Sequence, residues 1–218
     1  KFELGEEFKI STSLNKRDLD DNLRWIRDAR RMADWVIVTV HCHEHGKGRD
    51  EPPDFLRAFA KACIDEGAHI FIGHGPHVTR GIEIYKDRPI LYSLGNFIFQ
   101  NDTVRWQPSH NYDEMKLDHY ATPADFYDAR SEGDTRGFPG DSIYWESVVV
   151  RCEYKGGKLK EVRLYPIDLG HNKPRSQRGR PMMADDKLGK KILDRMKRLS
   201  RAFDTNISLK DGVGVIRV

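Results

Sequence analysis

Cysteine is scarce in this sequence. Cys42, Cys63 and Cys152 are the only three, odd in number and far apart. That excludes a CxxC zinc pattern and leaves no disulfide framework to read. Long apolar runs are missing as well. No stretch approaches the ~18 apolar residues that signal a membrane-spanning helix, and no signal peptide opens the chain. With neither signal nor anchor visible, the compartment stays open between cytoplasm and cell surface. The first residue is Lys1 rather than Met, which leaves room for a preceding segment. An excess of one charge is also lacking: the net charge is +3. A dedicated nucleic-acid binder would show a clustered basic surface instead. Hydrophobic residues make up 38%, below the ~45–50% of an average soluble domain, so a core forms beneath much polar surface or long loop. The 218 residues suit one domain.

Patterning then divides the chain. From Asp18 to Ala33, apolar residues fall at Leu19, Leu23, Ile26, Ala29 and Ala33, the spacing of an amphipathic helix. "DWVIVTV" follows, a near-continuous apolar run expected as a strand covered on both faces. A helix begins at Pro53 and closes at Gly67 in the left-handed conformation, with Cys63 on its buried face. The strand "HIFIG" comes next. Helix, strand, helix, strand is α/β order, with the two strands neighbours in one sheet. "GIEIY", "PILYSL" and "NFIF" read as short β runs, the first two joined by a hairpin turn. Residues 1–14 read as a short strand and a turn. Residues 100–142 are long, acidic and aromatic, and are expected as a loop or lid, with Trp106, Tyr112, Tyr120, Phe126 and Tyr127 available to stack on a substrate. "SIYWESVVVRCEY" and "KLKEVRLYPIDL" form a second hairpin, and Leu188 to Leu199 an amphipathic helix capped by Asp185 or Asp186.

Histidine is the residue in excess where it matters. In open α/β sheets, ligands bind beyond the carboxyl ends of the strands. His41 stands at the end of "WVIVTV", and His74 and His77 stand at and just beyond the end of "HIFIG". If the strands are neighbours, all three converge on one sheet edge, and imidazole suits Zn, Fe, Mn or Ni. Gly73 and Gly75 allow the tight bend that turns His74 and His77 inward. His43 and His45, further out in the loop, are candidates for substrate contact or proton transfer, with Glu44 beside them. His69, at the opposite strand end, reads as structural, and His110, His119 and His171 as exposed. The basic stretch "HNKPRSQRGRP" offers Arg175, Arg178 and Arg180 for bidentate contacts to an anion. Glu146 is a candidate acceptor for a ligand histidine.

Three stretches together, "DWVIVTVH", "ACIDEGAHIFIGHGPHVTRGIEIYKDRPILYSLGNFIF" and "PRSQRGRP", resemble the CapA family, linked to capsule and poly-γ-glutamate synthesis and part of the calcineurin-like metallophosphoesterase superfamily. The resemblance is close over residues 15–100, looser over 145–218, and absent from 100–142. It implies a metallophosphoesterase-like layered α/β sandwich, here incomplete at its N-terminus. It further implies that His41, His74 and His77 bind a pair of divalent ions (Mn, Fe or Zn), and that Asn96 of "SLGNF" holds a nearby loop or touches substrate. One extra residue separates His74 from His77 relative to the superfamily's G-H-x-H motif, so which histidine takes which ion stays open. The superfamily's D-x-H, G-D and G-N motifs do not precede His41. The carboxylate ligands are therefore expected from a missing N-terminal segment or a second chain.

The function so implied is metal-dependent hydrolysis of a phosphoester or a related acyl or peptide substrate. His43 or His45 would serve as the general acid. Two other classes remain open: an accessory protein that binds an anionic polymer or peptide, and a metal-assisted peptide epimerase.

Overall fold

The computed structural model describes Glu6 and residues 12–218. The strand and turn expected over 1–14 lie almost wholly outside the described residues. Helix α1 spans Lys16–Met32, and its first amides are capped by Asn15 Oδ1, which accepts from Arg17 N–H and Asp18 N–H. Strand β1 is Ile37–His41, α2 is Asp54–Asp65, and β2 is Ile70–His74. Gly67 closes α2 at φ 105°. The hairpin of β3 (Ile82–Tyr85) and β4 (Arg88–Leu91) turns at Lys86 and Asp87, whose φ values of 50° and 57° fit a two-residue hairpin turn. "NFIF" is not a strand. Its backbone runs as bends past Asn96, and Phe99 N–H finds its acceptor at Gly179 O instead of in a ladder.

The first sheet has the order β1-β2-β4-β3, with β1, β2 and β4 parallel and β3 antiparallel. The second is antiparallel. It contains β5 (Glu146–Lys155), β6 (Lys158–Asp168), β7 (Met182–Met183), β8 (Ser208–Lys210) and β9 (Val213–Arg217). The fold is α/β in two stacked cores. On one face of the first sheet, α1 and α2 bury Ile26, Leu56, Ala60 and Cys63 against Phe71, Ile90 and Tyr92. On the other, helix α5 (Asp186–Ser200) and the second sheet gather Ile192, Leu193 and Met196 around Ile82, Leu91, Val162 and Leu164. Period-two alternation explains the division. Phe71 of β2 points to the helices while its neighbours Ile70 and Ile72 point to the second sheet.

One expectation is corrected. Among the described residues, β1 is not covered on both faces. It is the last strand of its sheet among the described residues, and Ile37 is 55% exposed. Apolar composition reports an apolar strand, but not what lies against it. The segment 100–142, expected as a loop or lid, contains α3 (Ser109–Glu114) and α4 (Pro123–Ser131). Thr122 and Asp125 form a reciprocal capping box at α4, with Pro123 at its first position.

Candidate functional site

The parallel pairing of β1 with β2 sets the site. In that register His41 lies opposite His74, the last residue of each strand, and Cys42 N–H donates to His74 O at 2.8 Å. The end of β2 and the turn after it each need a glycine. A Cβ on Gly73 would sit 2.3 Å from Tyr92 O, and one on Gly75, at φ 118°, 2.5 Å from Cys42 O. This close passage brings the β1 and β2 loops together, and His77 itself takes the left-handed region at φ 60°.

Four imidazoles gather there. His41 Nε2 and His43 Nε2 are 3.1 Å apart, and the His43 ring centroid lies 5.8 Å from that of His77. His74 is half-buried. Burial, with the neighbouring His41 charge, lowers its pKa and favours the neutral ring. His77 is held by Asn96, with Nδ1 to Oδ1 at 2.8 Å. Asn96 Nδ2 donates to Tyr144 O at 2.8 Å and His77 O at 3.3 Å. Its amide orientation is thereby fixed: Oδ1 accepts, so His77 Nδ1 carries the proton and Nε2 keeps its lone pair. A donor ring turned by a hydrogen bond on its other nitrogen is the usual setting of a metal-binding histidine. Phe138 stacks edge-on against the His77 ring at 4.9 Å, and Phe99 lies 5.8 Å away.

The loop between β1 and α2 is fastened from below by Arg80, which is fully buried. Its NH2 donates to Glu44 O at 2.8 Å and its Nε to Arg49 O at 3.0 Å. These bonds clamp the segment that carries His43 and His45. Arg80 follows His77 by three positions, so one guanidinium links both histidine loops. Burial lowers its pKa.

The nearby sulfur and carboxylate satisfy each other. Cys42 Sγ donates to Glu44 Oε2 at 3.1 Å. Burial first, then the Glu44 bond, pushes the thiol up to about 11, so it stays protonated at neutral pH. Glu44 is lowered chiefly by that same bond. Among the described residues, no group of three or more histidine, cysteine, aspartate or glutamate side chains is placed to hold a metal ion. The imidazoles fit part of such a site. Two nitrogens bound to one ion at about 2.0–2.1 Å each stand roughly 3 Å apart, as His41 and His43 do. The one carboxylate described beside them, Glu44, is engaged by Cys42.

The other expected residues are dispersed. His45 is exposed, its Nδ1 2.9 Å from Gly46 O. Arg178 is not free to meet a substrate. It is buried between two acids, with Nε to Asp102 Oδ2 at 2.8 Å and NH1 to Asp134 Oδ2 at 2.8 Å. Arg175 binds Asp128 at 2.7 Å, and Arg180 is exposed. Glu146 pairs with Lys191 at 2.6 Å rather than with a site histidine. His69 is buried and accepts Val36 N–H at 3.0 Å, a structural role. In the insertion, Phe126 and Tyr127 are buried in its own small core while Trp106 is 89% exposed. Sequence reasoning missed Phe138 and Arg80. Phe138 lies in a stretch with no periodicity, and Arg80 looks like an ordinary surface cation. Behind Phe138 and Tyr144, a cavity of about 260 Å³ opens among insertion residues.

An α/β sheet whose parallel strands end in opposed histidines, with close-packed glycines and an asparagine-oriented ring, has the geometry of a candidate strand-end ligand site. Residues 4–101 match the family described as bacterial capsule synthesis protein PGA_cap, and this segment holds every histidine of the cluster and Asn96. The uncharacterized protein y4sH of Sinorhizobium fredii (strain NBRC 101917 / NGR234) is 38% identical over 236 residues, covering 100% of this chain and 48% of that protein. The capsule biosynthesis protein CapA of Bacillus anthracis is 37% identical over 100 residues, 45% of this chain and 24% of that one. The PGA biosynthesis protein CapA of Bacillus subtilis (strain 168) is 42% identical over 84 residues, 38% of this chain and 22% of that one. Over that segment the chain resembles the CapA proteins of capsule and PGA biosynthesis. It spans about half the length of the Sinorhizobium relative.

Proposed function

We propose that this chain supplies the histidine half of a divalent-metal site in a protein of capsule or poly-γ-glutamate synthesis, and that the completed site hydrolyses a phosphoester or a related acyl or peptide bond. The observation that carries the reading is the His41–His43 nitrogen pair, 3.1 Å apart. It lies beside a His77 ring whose Nδ1 is engaged by Asn96 and whose Nε2 is left bare. His41, His43, His74 and His77 are the donors, and carboxylates from outside the described residues complete the set. The centre would hold one or two ions of Mn, Fe or Zn, as the family resemblance implies. A bound divalent ion supplies Lewis-acid polarisation and a water acidic enough to ionise near neutral pH.

The chain's own residues do the rest. Asn96 keeps His77 in one tautomer, and Arg80 keeps the His43 loop against β2. Phe99 and Phe138 wall His77 with apolar rings, which strengthens electrostatic contacts there by excluding water. His45, exposed on the rim of the loop, is placed to give a proton to a leaving group.

The test is turnover of bis-p-nitrophenyl phosphate with added Mn by the purified protein together with its carboxylate-bearing partner segment, as the completed site requires. The expected result is hydrolysis that falls at least a hundredfold in His41→Ala/His77→Ala. Unchanged turnover in that double variant would refute the assignment.

A further inference from the structure

Arg175 carries a hydrogen-bond donor that the fold leaves without an acceptor. Its NH2 binds Asp128 at 2.7 Å, but its Nε is buried and bonds to nothing among the described residues. Asp102 Oδ2, at 3.6 Å, is beyond hydrogen-bond reach. A buried donor left in this state costs free energy that a ligand acceptor would recover. The guanidinium lies over the Tyr127 ring, 5.8 Å from its centroid. Both residues line the cavity of about 260 Å³ behind Phe138.

Phe138, Pro139 and Tyr144 line the same cavity, and the Phe138 and Tyr144 rings stand edge to face at 4.9 Å. Three aromatic rings and a stacked guanidinium around one space offer stacking and edge-to-face contacts to a further ring. For scale, an apolar cavity of roughly 150 Å³ admits benzene, so this one has room for a single substituted ring. It lies almost wholly beyond the family-matched residues 4–101, with Asn101 the one lining residue inside that segment.

The charges around the cavity cancel. Asp102 and Asp134 keep their charges, but Arg178 binds both, and Arg175 binds Asp128. Three aspartates thus face two arginines, and Arg130 on the cavity wall restores the balance. Arg136 is paired with Glu132 at 2.8 Å. Such a lining suits a neutral guest, because an ion would enter without a counter-charge of its own.

We propose that this cavity binds a single neutral aromatic or heteroaromatic ring bearing a hydrogen-bond acceptor, which lies among Tyr127, Phe138 and Tyr144 and accepts from Arg175 Nε. Phe138 is shared with the histidine cluster, its ring 4.9 Å from that of His77, so the guest touches a side chain that also walls His77. The site needs neither metal nor turnover and stands apart from the hydrolase reading.

The experiment titrates the purified protein with benzamide, which has a ring and a carbonyl acceptor, and follows binding by NMR. The expected result is a Kd of about 1 mM or tighter, within reach of so small a ligand, with nuclear Overhauser contacts from its ring protons to Phe138 and Tyr144. Toluene lacks the acceptor, acetamide lacks the ring and benzoate adds a charge; each is expected to bind at least threefold more weakly. Arg175→Met removes Nε and keeps an unbranched apolar side chain. It is expected to weaken benzamide at least fivefold and toluene less than twofold, a comparison that isolates the hydrogen bond from any general loosening of the cavity. Lys158→Met, on the exposed β5–β6 hairpin, is expected to change neither. Weaker binding of benzamide, contacts only outside the cavity, a comparison ligand that binds as tightly, or equal loss of benzamide and toluene in Arg175→Met would each overturn the proposal.

Discussion

Replacing Arg178 by methionine removes the cation from an ion pair with almost no water around it. The side chains of Arg178 and Asp102 are 4% and 5% exposed. Arg178 Nε and NH2 both donate to Asp102 Oδ2, while NH1 and NH2 reach the two oxygens of Asp134 at 2.8 and 3.1 Å. The partners lie 76 and 44 positions away, so these bonds tie the segment after β6 to both ends of the insertion. Without Arg178, Asp102 keeps a buried charge and only the more distant Arg175, at 3.6 Å, as counter-ion. Breaking a buried pair in this way costs about 3–5 kcal/mol. For a chain of this size, that is a fall in Tm of roughly 6–20 °C at ~2–4 °C per kcal/mol. Asp134 is 42% exposed and rehydrates, so adding Asp102→Leu should recover most of the loss, since an apolar pair of similar volume does as well as a buried ion pair. Urea denaturation of the two variants against wild type measures both steps. Exposed Arg180→Met should stay within about 0.5 kcal/mol. A loss below about 1 kcal/mol for Arg178→Met would refute the reasoning and return Arg178 to the pool of substrate contacts.

Other consequences are open to measurement. Gly75→Ala forces a Cβ to within 2.5 Å of Cys42 O at φ 118°. It should destabilise the protein by more than about 3 kcal/mol, seen as a lower urea midpoint; a midpoint near wild type would contradict the close passage of the two loops. Asn96→Leu frees the His77 ring to change tautomer, and metal affinity measured by titration calorimetry should fall 10–100-fold, the usual range for lost outer-shell partners. His69 is lowered from 6.5, first by burial and then by the charges of Arg88 and Arg30. A histidine favoured in its neutral form contributes stability that is fully present above its unfolded pKa and is lost as pH falls through the folded value. Unfolding free energy should therefore drop more steeply below about pH 6.5 in wild type than in His69→Asn, where the amide oxygen can still accept Val36 N–H. Parallel pH profiles would count against this role for His69.

The parts of the fold set by local pattern were legible. α1, β1, α2 and β2 follow from helix spacing and β-rich runs, and the opposed His41 and His74 follow from two such runs ending in histidine. What depended on distant partners was not legible. Arg178 sits in a basic, loop-like stretch, and only its meeting with Asp102 and Asp134 makes it structural. Arg80 belongs to a strand-turn segment with no mark of burial until its bonds to Glu44 O and Arg49 O are seen. Phe138 comes against His77 because Trp145 Nε1 donates to Phe138 O at 2.8 Å and fixes the returning segment. The short strand β9 went unread because it pairs with β6 across some fifty residues of intervening chain, and the three-residue β8 pairs only with β9.

Elemental analysis of the purified protein beside His41→Ala/His77→Ala tests the central claim most directly. The account predicts Mn, Fe or Zn bound to the wild-type protein once its carboxylate-bearing partner segment is present, and at least a tenfold loss in the double variant. Equal metal in both, or none in either under those conditions, would contradict it.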